Sequence, residues 1–437
     1  MATDAYVSTL AWLYRLEARR GIDLELARVR RAAAALGHPE RAAPTFHVAG
    51  TNGKGSTAAM LAAMLAAAGA RVGLYTSPHL VSFRERIQVA GTPITEAAVV
   101  DGIASIRAVL GPAMNLTCFE VATLLAWETF RAAAVDAVVL EVGLGGRLDA
   151  TNVVTPAVAV VTNVGLDHEA WLGDTLAMIA REKAGVVKAG VPVVSGATGV
   201  AGDVVAARAR ELGSPLEVID RDFALEPDAG GRPAYRSPRG VISPLTLGLA
   251  GAHQRRNAAL AIRALECVPR LTPSDAAIRA GLADVRWPGR LQVVRREPLV
   301  LLDGAHNGAG VEALAAEVRA RAAGRRVRVL FGVMRDKGWQ TMLRELAEVA
   351  SEVVVTRPRQ PRSASPAEVA AAASCPARVI DDPAAAYREL LATSAPDDVV
   401  VAAGSLFLVG DLLPVIDPSL VAAAERERAA AVLAGRW

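Results

Sequence analysis

Short apolar runs of strand length alternate with alanine-rich stretches of helical length along almost the whole chain. FHVAG (46–50) precedes STAAMLAAMLAAAG (56–69); VDAVVLEVG (135–143) follows FEVATLLAWETFRAAA (119–134); AVAVVTNVG (157–165) precedes TLAMIAREKAGVV (175–187). Strands that alternate with helices of this length close into a mostly parallel sheet with helices on both faces. The pattern resumes with PLVLLDGAHN (298–307), RVRVLFGVM (326–334), SEVVVTRP (351–358) and DDVVVAAGS (397–405), which predicts a second sheet of the same kind. With 437 residues, two domains are expected. Helical character ends and strands resume at RWPGRLQ, so the division is placed there: 1–288 and a smaller 289–437. The Gly-, Pro- and Arg-rich stretch EPDAGGRPAYRSPRGVISP (226–244) reads as a hairpin or loop excursion late in the first domain.

The segment HVAGTNGKGSTAAM (47–60) joins a strand to a helix through three glycines and a lysine. Gly50, Gly53 and Gly55 let backbone approach an anion closely, and the helix that follows offers free amides and a favourable dipole. Lys54 is placed to reach terminal phosphates, with Ser56 and Thr57 supplying the hydroxyl. The spelling departs from G-x-x-x-x-G-K-[ST]: Val48 stands where the first glycine belongs, and Gly55 follows the lysine. On the loop alone, a plain glycine turn remains open. A phosphate loop here makes the doubly wound first domain P-loop ATPase-like, and the alternation of the second half makes the smaller domain Rossmann-like α/β.

Other polar residues gather at strand ends, where parallel sheets collect their ligands. Glu141 closes a buried-looking strand and is either a magnesium ligand or a helix cap. His168, in NVGLDHEAWLG, follows a strand of the same kind; a lone histidine is more often a satisfied surface or core residue. Lys183, in AREKAGVVK, sits beside Arg181 and Glu182 and reads most simply as part of a solvent-facing charged triplet. Asn257 enters an alanine helix, Arg290 lies in a Pro-Gly turn, and Asp303 and His306 end a strand. Each alone is a cap or a turn, but together they are too many for decoration.

Lysine is scarce: Lys54, Lys183, Lys188 and Lys337 are the only four among 48 basic residues. A lysine kept where arginine is otherwise used does work that a guanidinium cannot, as a point charge or as a nucleophilic amine. Net charge is only +3 and no basic run or basic-aromatic stripe occurs, which argues against nucleic acid and suits a small acidic substrate. The N-terminal MATDAYVSTLAWLYRLEARR reads as a helix rather than a signal peptide. No segment is long enough without charge to span a membrane. Cys118, Cys267 and Cys375 match no metal or redox spacing and are expected to be core thiols in a reducing cytoplasm. With no extended apolar surface stripe, a monomer is expected.

With these residues assembled, the sequence resembles the folylpolyglutamate synthase and dihydrofolate synthase family, a branch of the Mur ligase superfamily. The likeness runs from GIDLELARV to AGSLFLVGDLL through HVAGTNGKGS, TSPHLVSFRERI, EVGLGGRLDATN, LDHEAWLG, REKAGVV, GAHQRRNAALA, WPGRLQ and DGAHN, in that order. The family spells its loop G-T-N-G-K-G-[ST], so Gly55 is no defect. By this resemblance Gly53, Lys54, Gly55 and Ser56 hold ATP phosphates, and Ser77, Glu141 and His168 are magnesium ligands. Lys183 matches the lysine that carbon dioxide converts to a carbamate, which helps bind a second magnesium. Asn257 and Arg290 match the adenine side, and Asp303 the ribose or phosphates, with His306 beside it. The pterin lies by Asp23, Thr117 and Leu148, Asp149 and Ala150; TCFE (117–120) matches the family's T-x-F-E. Lys54, Lys183 and His168 are then the catalytic set.

The implied activity is ATP-dependent joining of L-glutamate to dihydropteroate, to reduced folates, or to both, through an acyl phosphate, and both acceptors are expected. A single-activity synthase and another Mur-type amide ligase are the alternatives. A peptidoglycan ligase carries a separate domain for a UDP-linked substrate, for which the 49 residues before Gly50 are too few. A simple P-loop kinase leaves the second α/β half and the REKAG lysine unexplained. A non-catalytic nucleotide-binding regulator does not need Lys54, Glu141, His168 and Lys183 intact.

Overall fold

The computed structural model describes residues 4–20, 23–111, 115–228 and 230–435; the first two residues of GIDLELARV lie outside them. The first sheet has eight strands: β1 (Thr45–Ala49), β2 (Val72–Tyr75), β3 (Ile87–Val89), β4 (Thr92–Pro93), β5 (Ala137–Glu141), β6 (Val158–Val161), β7 (Val193–Ser195) and β8 (Leu216–Val218). Their order is β4-β3-β2-β5-β1-β6-β7-β8, parallel except for the β2–β3–β4 edge. Strands β1, β5 and β6 are buried at every residue, as expected of central parallel strands covered on both sides. Helices Ala5–Arg20, Leu26–Ala35, Glu96–Leu110 and Cys118–Ala132 build an apolar layer on one face. Helices Lys54–Ala67, Ala252–Glu266 and Asp275–Asp284 build the other. The Gly/Pro-rich excursion forms a three-stranded antiparallel sheet, β9 (Ala224–Pro227), β10 (Pro233–Ser237) and β11 (Gly240–Ile242), packed onto that second layer.

The second sheet comprises β12 (Gln292–Arg296), β13 (Leu299–Leu302), β14 (Val327–Phe331), β15 (Glu352–Val355), β16 (Ala377–Val379) and β17 (Val399–Ala403). Its order is β12-β13-β17-β14-β15-β16, with only β12 antiparallel. In each sheet one strand order reverses beside a central strand: at β1, flanked by β5 and β6, and at β13 and β17. Ligands of open α/β sheets bind where the order reverses, beyond the carboxyl ends of the strands. The loop after β1 is the glycine loop and the loop after β13 is Asp303–Asn307, so the two switch points face one cleft.

The domains touch outside that cleft as well. Val81, from the loop after β2, is buried in the second domain's apolar layer with Leu408, Val409 and Leu412. The helix Val421–Leu433 is largely exposed but returns to pack on the first helix and buries Ala430 in the first domain's core. No single helix among the described residues is long and apolar enough to cross a membrane.

Candidate active site

The residues that the resemblance assigns to nucleotide, metal and pterin all line a single cleft of about 1680 Å³ between the two sheets, whereas Thr57 and Lys188 lie outside it. The helix Lys54–Ala67 starts at its floor. Its N-cap, Gly53, has φ 81°, and a Cβ there would stand 2.4 Å from Asn257 Oδ1. Only glycine satisfies both the left-handed backbone and that close approach. Asn257 thus lies directly over the loop; its Nδ2 donates to Gln254 Oε1 (2.9 Å), and Gln254 Nε2 donates to Ser56 Oγ (3.3 Å). The helix 252–266 therefore reads the glycine loop through two buried amides that sequence reasoning had only half identified.

Lys54 Nζ donates to the carbonyls of Gly50 and Thr51, both at 3.1 Å. Lys183 is buried, not solvent-facing: its Nζ crosses from helix Leu176–Ala184 to donate to the same Gly50 carbonyl at 2.9 Å. The apolar spacing around Lys183 turns its face of the helix inward while Arg181 stays exposed. Burial, and then Lys54, pull the Lys183 amine down to about 7. Burial lowers Lys54 as well, against the opposing field of Glu141. Glu141 is not a helix cap: at the end of β5 its Oε2 accepts the Ser77 amide from the end of neighbouring β2 (3.0 Å). Burial pushes its carboxyl up, and Lys54 opposes that.

His168 is a left-handed N-cap with φ 54°, and its ring is 41% exposed. Burial of its inner side, together with Lys337, Lys54 and Lys183, brings it to about 4 despite Asp167, so at neutral pH the ring carries a free lone pair. A carboxylate, a hydroxyl and a neutral imidazole form a donor set suited to a hard divalent cation. The buried Glu141 carboxylate, with one oxygen spent on an amide, fits that use. Among the described residues no three His, Cys, Asp or Glu side chains stand preassembled as a metal cluster.

Asp303 spends its oxygens on the backbone of the domain junction, accepting Leu291 N (2.8 Å) and Ala305 N (2.7 Å). Leu291 has φ 44°, and Arg290 Nη1 donates to Gly289 O, so Asp303 holds the whole Gly289–Leu291 turn. His306 Nδ1 donates to Gly304 O at 2.8 Å, and burial and Lys337 bring the ring to about 4.

On the opposite wall, Thr117 and Glu120 form a capping box for helix Cys118–Ala132, which gives TCFE a structural purpose of its own. Asp149 accepts Leu144 N, Thr151 N and the Thr151 hydroxyl. Since that hydroxyl donates to Asp149, it accepts from His47 Nε2 at 2.9 Å, which fixes the tautomer of this fully buried histidine. Asp23 pairs with Arg28 at 2.9 Å, and Arg28 also meets Glu120 at 3.3 Å, tying the Asp23 segment to the start of helix Cys118–Ala132. Leu148 and Ala150 flank Asp149 on the cleft surface.

The largest omission of the sequence reading is the seam between domains. Asn52 and Asn307 exchange reciprocal amide hydrogen bonds, Nδ2 to Oδ1 at 3.1 and 3.0 Å, linking the two switch-point loops. Asp167 receives Lys337 Nζ at 2.6 Å and Asn307 Nδ2 at 3.1 Å, with His306 Nε2 at 3.7 Å. Burial raises the Asp167 carboxyl, but Lys337, His168 and His306 outweigh it and hold the group well below the usual carboxylate range. The scarcity of lysine was a usable signal for Lys337. Asp167, in the quoted LDH, was overlooked in favour of its neighbour.

Comparison with known proteins places the fold among characterised ligases. Residues 48–265 match the model of the Mur ligase middle domain and 289–406 that of the Mur ligase glutamate ligase domain. The folylpolyglutamate synthase of Lacticaseibacillus casei is 40% identical over 395 residues, 86% of this chain and 90% of that protein. Escherichia coli FolC in complex with DHPP and ADP superposes with a TM-score of 0.89 at 36% identity, covering 96% of this chain and all of that one. A bifunctional folylpolyglutamate synthase/dihydrofolate synthase from Yersinia pestis, complexed with AMPPNP and Mn ion, gives 0.87 at 37% identity over 94% of this chain and 99% of that one.

Proposed function

The chain belongs to the folylpolyglutamate synthase/dihydrofolate synthase family of the Mur ligases, and on that premise we propose how its residues work. It is an ATP-dependent ligase that joins L-glutamate to folates. Our reading extends this to two acceptors, dihydropteroate and tetrahydrofolate-type folates. The observation that carries it is the meeting of the two switch points: the glycine loop with Lys54, Glu141 and Lys183 on one side, the Asn307-capped helix with Lys337 on the other, sealed by Asn52 and Asn307.

A carboxylate resists attack by an amine, so it is first phosphorylated by the γ-phosphoryl group of ATP, and the amine of glutamate then displaces phosphate to leave an amide. Phosphoryl transfer is chiefly a matter of position and charge. In this reading Gly53, Gly55 and Ser56 present backbone and hydroxyl donors to the phosphates, and Lys54 turns from its two carbonyls to neutralise the transferring group. Ser77, Glu141, His168 and a carbamate on Lys183 would hold two magnesium ions, which supply further charge neutralisation. A lysine brought to about 7 by burial offers a neutral amine at physiological pH, the form that adds to carbon dioxide. Asn257 and Arg290 take the adenine side, and His306 stands by the phosphates. Asp303 contributes by fixing the Arg290 turn. Asp23, Thr117, Leu148, Asp149 and Ala150 receive the pterin.

The same reading divides the chain into a nucleotide-holding part, 1–288, and a glutamate-presenting part, 289–437, supported by the confinement of the second sheet to residues 292–403. Contact between the parts excludes water from the acyl phosphate. We place the enzyme's work in a reducing cytoplasm, as a monomer acting on small molecules rather than nucleic acid or membranes; three cysteines far apart in sequence, matching no redox spacing, support the compartment.

The test is incorporation of labelled glutamate with ATP and magnesium, run in parallel on dihydropteroate and tetrahydrofolate. Label in both acceptors is expected. Label in one alone narrows the activity to that acceptor, and label in neither, from protein that binds ATP, overturns the folate reading.

A further inference from the structure

The loop after β2, Ser77 to Arg86, lies between the domains, and two carboxylates hold its backbone. Glu85 accepts the amides of Leu80 (2.8 Å), Val81 (3.0 Å) and Ser82 (2.7 Å). The next amide, Phe83 N, donates to Glu427 Oε1 at 2.6 Å, from the helix Val421–Leu433 some 340 residues away in sequence. Four consecutive amides are therefore taken by one glutamate of the loop and one from the far end of the described chain. Glu427 is mostly buried and also receives Tyr14 OH (2.5 Å) and Tyr6 OH (3.2 Å), with His79 Nε2 at 4.0 Å.

The rest of the loop is seated as tightly. Val81 is buried in the second domain, and a Cβ on Gly410 would come within 2.3 Å of the Leu80 carbonyl, so helix Leu406–Ile416 rests directly on loop backbone. At the loop's start, Ser77 donates its amide to Glu141, the buried carboxylate beside Lys54. The position of the second domain and of the helix 421–433 is thus passed through a few residues of backbone to the phosphate end of the cleft. Glu427 is the one charged group of that helix that grips the loop itself; Arg426, one residue before, pairs with Glu96 and Asp4 on the outer surface.

We propose that Glu427 is a positioning residue for the ligase reaction, holding the Ser77–Arg86 loop so that Ser77 and Glu141 keep their places beside the nucleotide phosphates. This rests on the assignment of Ser77 and Glu141 to the nucleotide side given above. A buried amide left without its acceptor is destabilised, which releases the loop without unfolding the domain. The contrast between Glu427 and Arg426 separates gripping the loop from merely docking the helix.

The test compares Glu427→Ala, Glu427→Gln and Arg426→Ala with the unaltered chain, using amide hydrogen exchange over residues 77–86 and the affinity for ADP with magnesium. Glu427→Ala is expected to speed exchange of the loop amides by about tenfold or more and to weaken ADP by about fivefold. Its melting temperature should stay near that of Arg426→Ala. Glu427→Gln keeps an acceptor for Phe83 and should recover most of both losses, while Arg426→Ala should leave loop exchange unaltered. Unchanged loop exchange in Glu427→Ala, or the same change in Arg426→Ala, overturns the proposal. Neither readout needs turnover, so a chain that shows the expected exchange but incorporates no glutamate would refute the functional reading while leaving the loop tie in place.

Discussion

Lys54 and Lys183 donate to the same acceptor, the carbonyl oxygen of Gly50. Burial, and after it the repulsion of two charged amines drawn onto one oxygen, brings Lys183 to about 7. Between that value and the ordinary 10.5, the unfolded chain holds a proton that the folded chain does not, so stability rises with pH across the window. Below about 7 the cost is fully present. Lys183→Met, similar in length but uncharged, should raise the melting temperature of the ligand-free protein at pH 6, with a gain that shrinks toward pH 10. The same variant should lose turnover by about 100-fold or more, as should Lys183→Arg, since a guanidinium cannot form a carbamate. Thermal melts at the two pH values together with a glutamate-incorporation assay check both halves.

Gly53→Ala meets two obstacles. A left-handed backbone costs an alanine about 1–2 kcal/mol, and its Cβ would stand 2.4 Å from Asn257 Oδ1. ATP affinity should fall by about tenfold or more. The double variant with Asn257→Ala should recover the melting temperature in part but not ATP affinity, because the amide that clashes is also the one assigned to the nucleotide. Calorimetric titration of ATP into the single and double variants decides this.

The Lys337–Asp167 pair, 12% and 8% exposed, joins the domains at 2.6 Å. Removing one partner of a buried pair leaves the other uncompensated, at about 3–5 kcal/mol. In Lys337→Met that cost is avoided by letting the cleft open and Asp167 reach water. The expected outcome is a larger radius of gyration by small-angle scattering, with turnover lost and ATP affinity reduced but not abolished, because the glycine loop and helix Ala252–Glu266 lie in the first domain while Arg290 and His306 move with the second. A radius unchanged from the parent protein would count against the pair as a closure contact.

Asp411 sits in the cleft wall with its carboxyl pushed up to about 6 by burial, against the Arg359 amide and the charges of Arg359 and Arg428. Here the folded chain binds the proton more tightly, so stability falls as pH rises from the ordinary 3.8 through about 6. Asp411→Asn keeps an acceptor for Arg359 N and should stabilise the protein at pH 7 by up to about 2 kcal/mol. The gain should vanish near pH 3.5, where both side chains are neutral. Urea titrations at the two pH values measure the difference.

Legibility followed distance along the chain. The glycine loop, the strand-end Glu141 and Asp303, and the alternation that makes both sheets are local patterns, and local patterns survive in a bare sequence. Lys183 was misread as solvent-facing because Arg181 and Glu182 make the triplet look polar, whereas helical spacing turns the lysine alone inward. The seam partners Asn52 with Asn307, Asp167 with Lys337, and Phe83 with Glu427 were not legible at all. Their separations are 255, 170 and 344 residues, and no periodicity links them. Glu427 also lies in an Ala-Glu-Arg helix whose composition gives no reason to prefer one glutamate over another.

Asn52 and Asn307 are each followed by glycine. An asparagine before glycine is the residue most open to attack on its side chain by the next backbone nitrogen, which turns the amide into a carboxylate and can insert an extra atom into the main chain. In this fold both side-chain amides are engaged by each other across the seam. Conversion of either amide to a carboxylate would set a negative charge where an amide donor now stands, facing Asp167 as well in the case of Asn307.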